Sequence, residues 1–279
     1  MWLCIFSVGF SATIIVDTTG TEGDSLQAAI DSTLNLPGID TVLVQPGTYH
    51  LFINDTVGLI MRDSVVLLNN SGSATCTLTA VSESGIDTAW HVIYCDTLTF
   101  PDSASHCAEI NGFTLINGNA RGTDSHSEGG AIYCRNASIS IVNNFIYNNA
   151  SDYTGGAISI YNANLLTSNN TFRNNSSQYG GAIYCEDCYC PQFISNVFDS
   201  NYASERAGGL RLYNCDTGYI YNNQFLHNQA NEGGALGFHT NCKVFVYENT
   251  FRNNSASSYG GAISVTNNAE PRIIKNTIV

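Results

Sequence analysis

A Gly-Gly pair returns six times in this chain, at intervals of 25 to 28 residues. The pairs lie at residues 129–130, 155–156, 180–181, 208–209, 233–234 and 260–261. Between them a second motif, Asn-x-Phe-x-x-Asn, recurs five times, and a sixth copy starts at Asn276. Repetition at this period indicates stacked units that bury their apolar faces only against one another. The repeat therefore constrains the architecture more than any other property of the chain does.

Each repeat contains three short apolar runs bounded by Gly, Asn and Ser. The first run follows the Gly-Gly pair, the second lies midway, and the third carries the Phe. Runs this short, separated by turn residues, are typical of β-strands. The sequence therefore predicts an all-β solenoid, a parallel β-helix with three strands per coil, in which each strand pairs with its equivalent in the next coil.

The recurring Phe and Asn residues are predicted to form ladders that hold the coils together. The aromatic column would contain Phe145, Phe172, Phe198, Phe225 and Phe251. The amide column at the preceding bend would contain Asn143, Asn170, Asn196, Asn223 and Asn249, and a second Asn column would follow the Phe. Buried aromatic area stabilises the stack, and Asn suits bends because it tolerates the left-handed region. We interpret these residues as structural.

The chain divides into three parts. Residues 1–12 are apolar and too short to span a membrane, which indicates a remnant of a secretory signal peptide, with an ordinary first strand as the alternative. Residues 13–128 are predicted to form an N-terminal cap with a short helix over 24–34, followed by irregular first coils. Residues 129–279 are predicted to be regular coils ending in mid-repeat, as in a piece of a longer polypeptide.

Composition excludes some partners. The formal net charge is −13 and charged residues make up only 12% of the chain. Nucleic-acid binding is not expected, because no basic patch is present. The negative charge also weakens the case for an acidic polysaccharide substrate, and no transmembrane segment is predicted.

The cysteines favour export rather than metal binding. Cys188, Cys190, Cys215 and Cys242 each follow a Gly-Gly pair at a similar distance, so stacking would bring them to one corner. Coils about 4.8 Å apart would suit disulfides, and these four are our disulfide candidates. No second CxxC or HxxxH completes a zinc set, so no metal or cofactor is expected.

Two family resemblances cover nearly the whole chain. The segments SLQAAID at 25–31 and TVLVQPGTY at 41–49 resemble the N-terminal cap and first coil of pectin-lyase-like right-handed β-helix proteins. The GGAI and FxxN repeats from residue 129 onward are similar to those of chlamydial polymorphic outer membrane proteins. The resemblance implies a right-handed β-helix that is exported. It also implies a location outside the cell, at the cell surface or at the outer membrane. It implies little about activity, because one fold serves many functions.

Candidate catalytic residues are few. The chain lacks Asp-Asp, Gly-His-Gly and Arg-x-Lys, which mark pectin hydrolases of this fold, and it lacks the Asp cluster of a calcium-dependent lyase. Weak candidates are the pair Arg173 and Asp199, one coil apart, and the pair His126 and Glu128 on the irregular 116–128 loop. Solvated structural roles are the alternative for both pairs. Arg211 interrupts an apolar strand and either points outward or lines a groove.

Tyrosines supply the candidate ligand-binding residues. Tyr153, Tyr179 and Tyr259 lie just before a Gly-Gly pair, and Tyr202 lies in a comparable turn. Such a row could stack on neutral sugar rings, or it could merely cover the corner of the solenoid. We therefore predict a non-catalytic surface or extracellular protein for adhesion or glycan contact, with neutral glycans or cell-surface partners. A carbohydrate-active lyase or hydrolase, using calcium only in the lyase case, and a passive spacer are the alternatives.

Overall fold

The computed structural model is a stack of coils built from four parallel β-sheets. It describes residues 12–16, 23–33, 39–51, 57–62, 64–82, 85, 88–96 and 108–279. Apart from residue 12, the predicted signal remnant lies outside these ranges. We name the sheets in the order in which a regular coil visits them. Sheet 1 follows the Gly-Gly pair, sheet 2 is the middle strand, sheet 3 carries the Phe, and sheet 4 leads into the next Gly-Gly pair.

Sheets 1 and 2 contain eight and ten strands, respectively. The strands of sheet 1 are Val57–Ile60, His91–Asp96, Ile132–Arg135, Ile158–Tyr161, Ile183–Glu186, Leu210–Tyr213, Leu236–His239 and Ile263–Thr266. The strands of sheet 2 are Thr13–Val16, Asp40–Val44, Val65–Leu68, Ala108–Asn111, Ile139–Val142, Leu165–Ser168, Gln192–Ile194, Thr217–Tyr221, Lys243–Tyr247 and Arg272–Ile274. Every strand listed pairs in parallel with its equivalent in the neighbouring coil, as the repeat predicted.

Sheets 3 and 4 complete the coils. The strands of sheet 3 are Gly47–His50, Cys76–Thr79, Thr114–Ile116, Phe145–Tyr147, Thr171–Arg173, Val197–Asp199, Gln224–Leu226, Thr250–Arg252 and Thr277–Ile278. The strands of sheet 4 are Asn119–Ala120, Ala150–Ser151, Ser176–Tyr179, Tyr202–Arg206, Gln229–Glu232 and Ser255–Tyr259. The regular coils therefore have four strands rather than the three predicted. Sequence reasoning missed sheet 4 because its strands are polar and carry no apolar run.

A helix caps the first coils. The helix Gly23–Ser32 buries Leu26 and Ile30 completely against the solenoid core. Its Gln27 amide donates to the Ile60 carbonyl at 3.1 Å and accepts from the Ile60 amide at 2.7 Å. A side chain thus occupies hydrogen-bonding groups that an edge strand would otherwise expose. Two single-turn 3₁₀ segments, Ser73–Thr75 and Asp124–Ser127, complete the described helical structure.

Two successive residues shape each corner, and they have different tasks. At the corner between sheets 3 and 4, Asn174 has φ 53° and is exposed, whereas the next residue, Asn175, is fully buried. The Asn175 amide nitrogen donates to the Ile146 carbonyl at 3.0 Å and to Asn201 Oδ1 at 3.0 Å. The left-handed turn and the coil-to-coil hydrogen bond are therefore made by two adjacent residues. The sequence pattern predicted that a single Asn at each bend would do both.

The structure contains the predicted interior aromatic column, but the column starts one coil later than predicted. Phe172, Phe198, Phe225 and Phe251 are fully buried, and their successive ring centroids are 5.0, 4.7 and 4.8 Å apart. In the first copy the strand register pairs Ile146 with Phe172, so Ile146 takes the interior position.

The first Asn of that copy is shifted as well. Phe145 is only half-buried and stacks on Tyr147, with ring centroids 4.6 Å apart. Asn144, rather than Asn143, joins the buried amide column of Asn170, Asn196, Asn223 and Asn249, and it accepts from the Phe113 amide. Asn143 has φ 57° and is the exposed left-handed residue of the corner. The motif Asn143-x-Phe145 is thus one residue out of register with its successors.

The Gly-Gly turn lies directly against the outer surface of sheet 1. Gly155 has φ 58°, and a Cβ at this position would come within 2.0 Å of the Ile158 carbonyl oxygen. Glycine is therefore required here both by its conformation and by the close approach. In the coil with the Gly208-Gly209 pair the register differs: Ala207 adopts the left-handed conformation with φ 60°, and Gly208 and Gly209 take the next two positions.

Candidate functional site

The outer face of sheet 1 carries a continuous row of aromatic side chains. Alternate residues of each strand point into the core, as Ile132 and Cys134 do, so the residues between them point outward. The outward residues that form what we call the tyrosine face are Tyr94, Tyr133, Tyr161, Tyr184, Arg211, Tyr213 and His239. From Tyr94 to Tyr184, neighbouring ring centroids are 5.2 to 6.0 Å apart. Tyr213 and His239 stack with centroids 5.0 Å apart.

A second column of side chains borders this face, because the Gly-Gly turn folds back on it. We call it the rim column; its members each precede the left-handed residue of the turn, and they are Glu128, Thr154, Tyr179, Arg206, Glu232 and Tyr259. Backbone pairing holds them in one register from coil to coil. The Thr154 hydroxyl lies 2.8 Å from both the Ser159 hydroxyl and the Tyr161 hydroxyl. The rim and the face therefore form one surface.

Three carboxylates on this surface each accept a hydrogen bond from a tyrosine. The Tyr184 hydroxyl donates to Glu186 at 2.8 Å, and the Tyr259 hydroxyl donates to Glu232 at 2.9 Å. Burial raises the pKa of Tyr161, and hydrogen-bonded Glu128 raises it further. Burial likewise raises the pKa of Tyr184, with Glu186 adding to the effect. These tyrosines remain neutral donors at every physiological pH, so the surface combines apolar rings with fixed polar groups.

Arg211 points outward and lies at the centre of this surface, which resolves the two orientations left open by its sequence. Leu210 and Leu212 on either side are in the core. The guanidinium carbon of Arg211 lies 4.6 Å from the ring centroid of Tyr179 and 5.9 Å from that of Tyr184. Arg211 is only 6% exposed, and its Nη1 atom has no hydrogen-bond partner. A buried cation stacked on two aromatic rings is the most unusual group of the site.

The predicted tyrosine row is only partly one row. Tyr179 and Tyr259 occupy the same register in the rim column, whereas Tyr153 precedes Thr154 by one residue and contacts Tyr179 edge-on, with centroids 5.5 Å apart. Tyr153 and Tyr259 are exposed. Tyr202 starts its sheet 4 strand and pairs with Ser176 and Gln229, so it is not part of the rim.

The two catalytic candidate pairs lie in different places. Arg173 and Asp199 are on the exterior of sheet 3, where their side chains form an ion pair of 3.5 Å, and Asp199 also contacts His227 Nδ1 at 3.1 Å. This pair is largely solvated, so it contributes at most about 1 kcal/mol to stability. His126 packs on Trp90 with ring centroids 4.5 Å apart, while Glu128 belongs to the rim.

The cysteine corner forms a column of thiols. Cys188, Cys215 and Cys242 are buried, and each sulfur lies 3.5 to 3.8 Å from a main-chain carbonyl of the preceding coil. The Cys215 amide donates to the Cys242 sulfur at 3.4 Å, which repeats the pattern of the Asn ladders. Cys190 has φ 57° and is partly exposed. All four are thiols here, and their pairing into disulfides stays a prediction.

Two structural absences concern only the described part of the chain. Within it, no group of three or more His, Cys, Asp or Glu side chains is placed to hold a metal ion. Within the same ranges, no helix has the length and apolar character needed to cross a membrane.

Sequence reasoning missed the tyrosine face, although a signal was present. In the runs AIYC, AISI, AIYC and LRLY the residues between the core positions include Tyr133, Tyr184 and Arg211. Because core and outward residues alternate along a strand, these side chains had to lie on the outside of sheet 1. Deciding first which residues of each strand face the core would have revealed these aromatic residues on the outside.

Two segments of the repeat region match the repeat model of a known family. Two segments, residues 171–186 and 250–266, match the Chlamydia polymorphic membrane protein (Chlamydia_PMP) repeat. Each segment runs from the Phe strand of sheet 3 through the rim to the outer face of sheet 1. The match and the parallel β-solenoid together agree with the resemblance seen in the sequence. No curated protein and no solved structure matched the chain.

This match bears on location more than on activity. The matching repeat is that of an outer-membrane surface family, which supports a cell-surface or outer-membrane location for a surface-exposed β-helix. The two segments contain the rim residues Tyr179 and Tyr259 and the face residue Tyr184. The elements that build the candidate site are therefore part of the repeat itself.

Proposed function

We propose that this protein is an exported, non-catalytic surface protein whose tyrosine face and rim column contact an extracellular partner. Adhesion is the role that this surface suits, with glycans and cell-surface proteins as the classes of partner. The continuous row of rings from Tyr94 to Tyr184 is the observation that carries the proposal. Tyr133 and Tyr184 are buried, at 2% and 6% exposed, so half-buried Tyr94 and Tyr161 are the rings of this row that a partner can reach. Tyr and Arg are enriched in binding surfaces because they offer large contact area at small entropic cost.

The polar groups of the surface favour recognition over catalysis. Glu128, Glu186 and Glu232 lie in three different coils, and each accepts a hydrogen bond from a tyrosine. A hydrolase needs two carboxylates that converge on one bond, with distinct protonation states. Carboxylates that lie in separate coils and each accept from a tyrosine are suited to fixing the hydroxyl groups of a partner in place. The lyase or hydrolase alternative, with or without calcium, is tested in the same experiment.

The test compares two tyrosines of one coil that differ in the sheet on which they lie. Tyr213 stacks on His239 on sheet 1, and Tyr221 stacks on Tyr247 on sheet 2, with ring centroids 5.0 and 4.6 Å apart. Both are half-buried, so Tyr213→Ala and Tyr221→Ala should cost similar amounts of stability. The purified chain and both variants are applied to immobilised neutral and acidic polysaccharides and to extracellular matrix proteins, with and without calcium.

The outcomes separate the three functions. We expect retention on at least one surface that Tyr213→Ala weakens and Tyr221→Ala leaves intact. Release of reducing or unsaturated ends from a polysaccharide would refute the non-catalytic proposal. Retention that depends on neither tyrosine would refute the assignment to the tyrosine face. The absence of binding to every surface would leave the passive spacer as the better account.

A further inference from the structure

Arg211 is a buried cation without an ionic partner. It lies on the outer side of the strand Leu210–Tyr213, where the ring of Tyr179 from the rim covers it at 4.6 Å. Its Nη1 atom is buried and makes no hydrogen bond, and none of the ion pairs among the described residues involves Arg211. Removing a guanidinium from water without a counter-charge is costly. The contacts with the Tyr179 and Tyr184 rings offset only part of this cost.

The nearby carboxylates are already bound to other groups. Glu232 accepts from Arg206 Nε at 2.9 Å and from the Tyr259 hydroxyl at 2.9 Å. Glu186 accepts from the Tyr184 hydroxyl at 2.8 Å. The pKa of Arg211 is lowered, and burial is the largest cause. The charge of Arg206 lowers it further, while Tyr184, Tyr179 and Glu232 act in the opposite direction. Arg206 pairs with Glu232, so Arg211 is left as the buried cation of this surface without an ion pair.

We propose that Arg211 is a binding site for the carboxylate of an acidic side chain that a partner protein inserts beneath the rim. A guanidinium matches a carboxylate in geometry and can bind it through two parallel hydrogen bonds. Tyr179 is only half-buried, and displacement of its ring opens Nη1 to the incoming group. Tyr184 and the stacked pair of Tyr213 and His239 then contact the apolar part of the partner. This inference rests on the proposed contact function of the same surface.

Charge decides between a protein and an acidic polysaccharide as the source of the carboxylate. The chain has a net charge of −13, so a polymer with a negative charge on every unit would be repelled along the whole solenoid. A protein segment can present one carboxylate among neutral and apolar residues. Arg and Tyr are also, with Trp, the residues enriched at the energetic centres of protein interfaces. An acidic peptide segment is therefore the occupant that fits.

The test selects binders from a phage library of random twelve-residue peptides with the full chain as bait. We expect enriched peptides to share one Asp or Glu, and replacing it by Asn or Gln should weaken binding by roughly thirtyfold. Arg211→Gln should weaken binding by a similar factor, and the two changes together should add no further loss. Arg173 is an exposed arginine on sheet 3, so Arg173→Gln is the control variant and should bind the peptides as the unchanged chain does.

A structural role for Arg211 predicts different results. If Arg211 served folding, Arg211→Gln would lower the melting temperature, whereas an unpaired buried cation predicts an unchanged or higher value. Arg211→Lys keeps the charge without the two-pronged geometry and should restore only part of the affinity. Peptides enriched without an acidic residue, or no enrichment at all, would overturn the inference. If the inference about Arg211 fails but polysaccharides are still retained through Tyr213, the proposed contact function of the surface stands. If the chain binds neither peptides nor polysaccharides nor matrix proteins, both proposals are refuted.

Discussion

Replacing Asn175 by Ala should destabilise the solenoid strongly, because its side chain makes hydrogen bonds to two other coils. Asn175 is fully buried and joins three coils. Its Oδ1 accepts from the Asn149 main-chain and side-chain nitrogens at 3.1 and 3.2 Å, and its Nδ2 donates to Ile146 O at 3.0 Å and to Asn201 Oδ1 at 3.0 Å. Alanine removes all four hydrogen bonds.

The magnitude follows from the groups left behind. The Asn149 main-chain N–H and the Ile146 carbonyl become buried polar groups without these partners, each costing about 1–3 kcal/mol, so the loss is roughly 2–6 kcal/mol. The neighbouring residue Asn174 is the matched control, because it is exposed and serves only the left-handed turn with φ 53°. Asn174→Gly keeps that conformation available and should change stability by only a few tenths of a kcal/mol.

Urea unfolding followed by circular dichroism measures both variants. We expect Asn175→Ala to shift the midpoint clearly to lower urea, or to split the transition into two, because a solenoid is coupled only between neighbouring coils. Asn174→Gly should superimpose on the unchanged chain. If the two asparagines proved equally tolerant of change, the amide ladder would not be what holds the coils together.

Further predictions concern the rest of the stack. Gly237→Ser would bring a Cβ to 3.1 Å from the Ala207 Cβ, so we expect the free energy of unfolding to fall by about 1–3 kcal/mol. Ala207→Gly should relieve this clash, and a double-mutant cycle measured by urea unfolding would show the coupling. Burial lowers the pKa of His91 to about 4, so the folded state resists protonation and His91 should lower stability by up to about 3 kcal/mol between pH 6.5 and 4. The fall in stability over this range should be smaller by that amount in His91→Gln. Burial raises the pKa of the Cys215 thiol, so iodoacetamide should modify partly exposed Cys190 well before the three buried thiols of that corner, which peptide mass spectrometry would show. Equal labelling of all four would contradict the buried column.

The period of the Gly-Gly pairs was enough to predict a parallel β-solenoid, and the apolar spacing within residues 24–34 predicted the helix that caps it. The period was not enough to give the register inside each coil. Phe145 looked like a member of the aromatic column, yet the bend before it comes one residue later than in the other coils, and Ile146 points inward instead. A one-residue shift reverses which face a strand residue occupies, and no local composition reveals it.

The candidate site was harder to predict for a related reason. Tyr179 and Tyr259 could be picked from their place before the Gly-Gly pair, but the face beside them depends on how the turn folds back over sheet 1. The missing partner of Arg211 is a property of three-dimensional neighbours such as Arg206 and Glu232, which take each other's charge. A sequence shows the charges but not their pairing.

Hydroxyl-radical footprinting of the chain with and without a bound partner, read by mass spectrometry, would test the central claim most directly. The partner is whichever matrix protein, polysaccharide or selected peptide is retained. Because tyrosines lie on two different sheets, one sample contains both the test and the control. We predict that binding protects Tyr161, Tyr179 and Tyr213 from oxidation and leaves Tyr219 and Tyr221 unchanged. Protection of the sheet 2 tyrosines, with those of sheet 1 still oxidised, would show that the contact surface lies elsewhere.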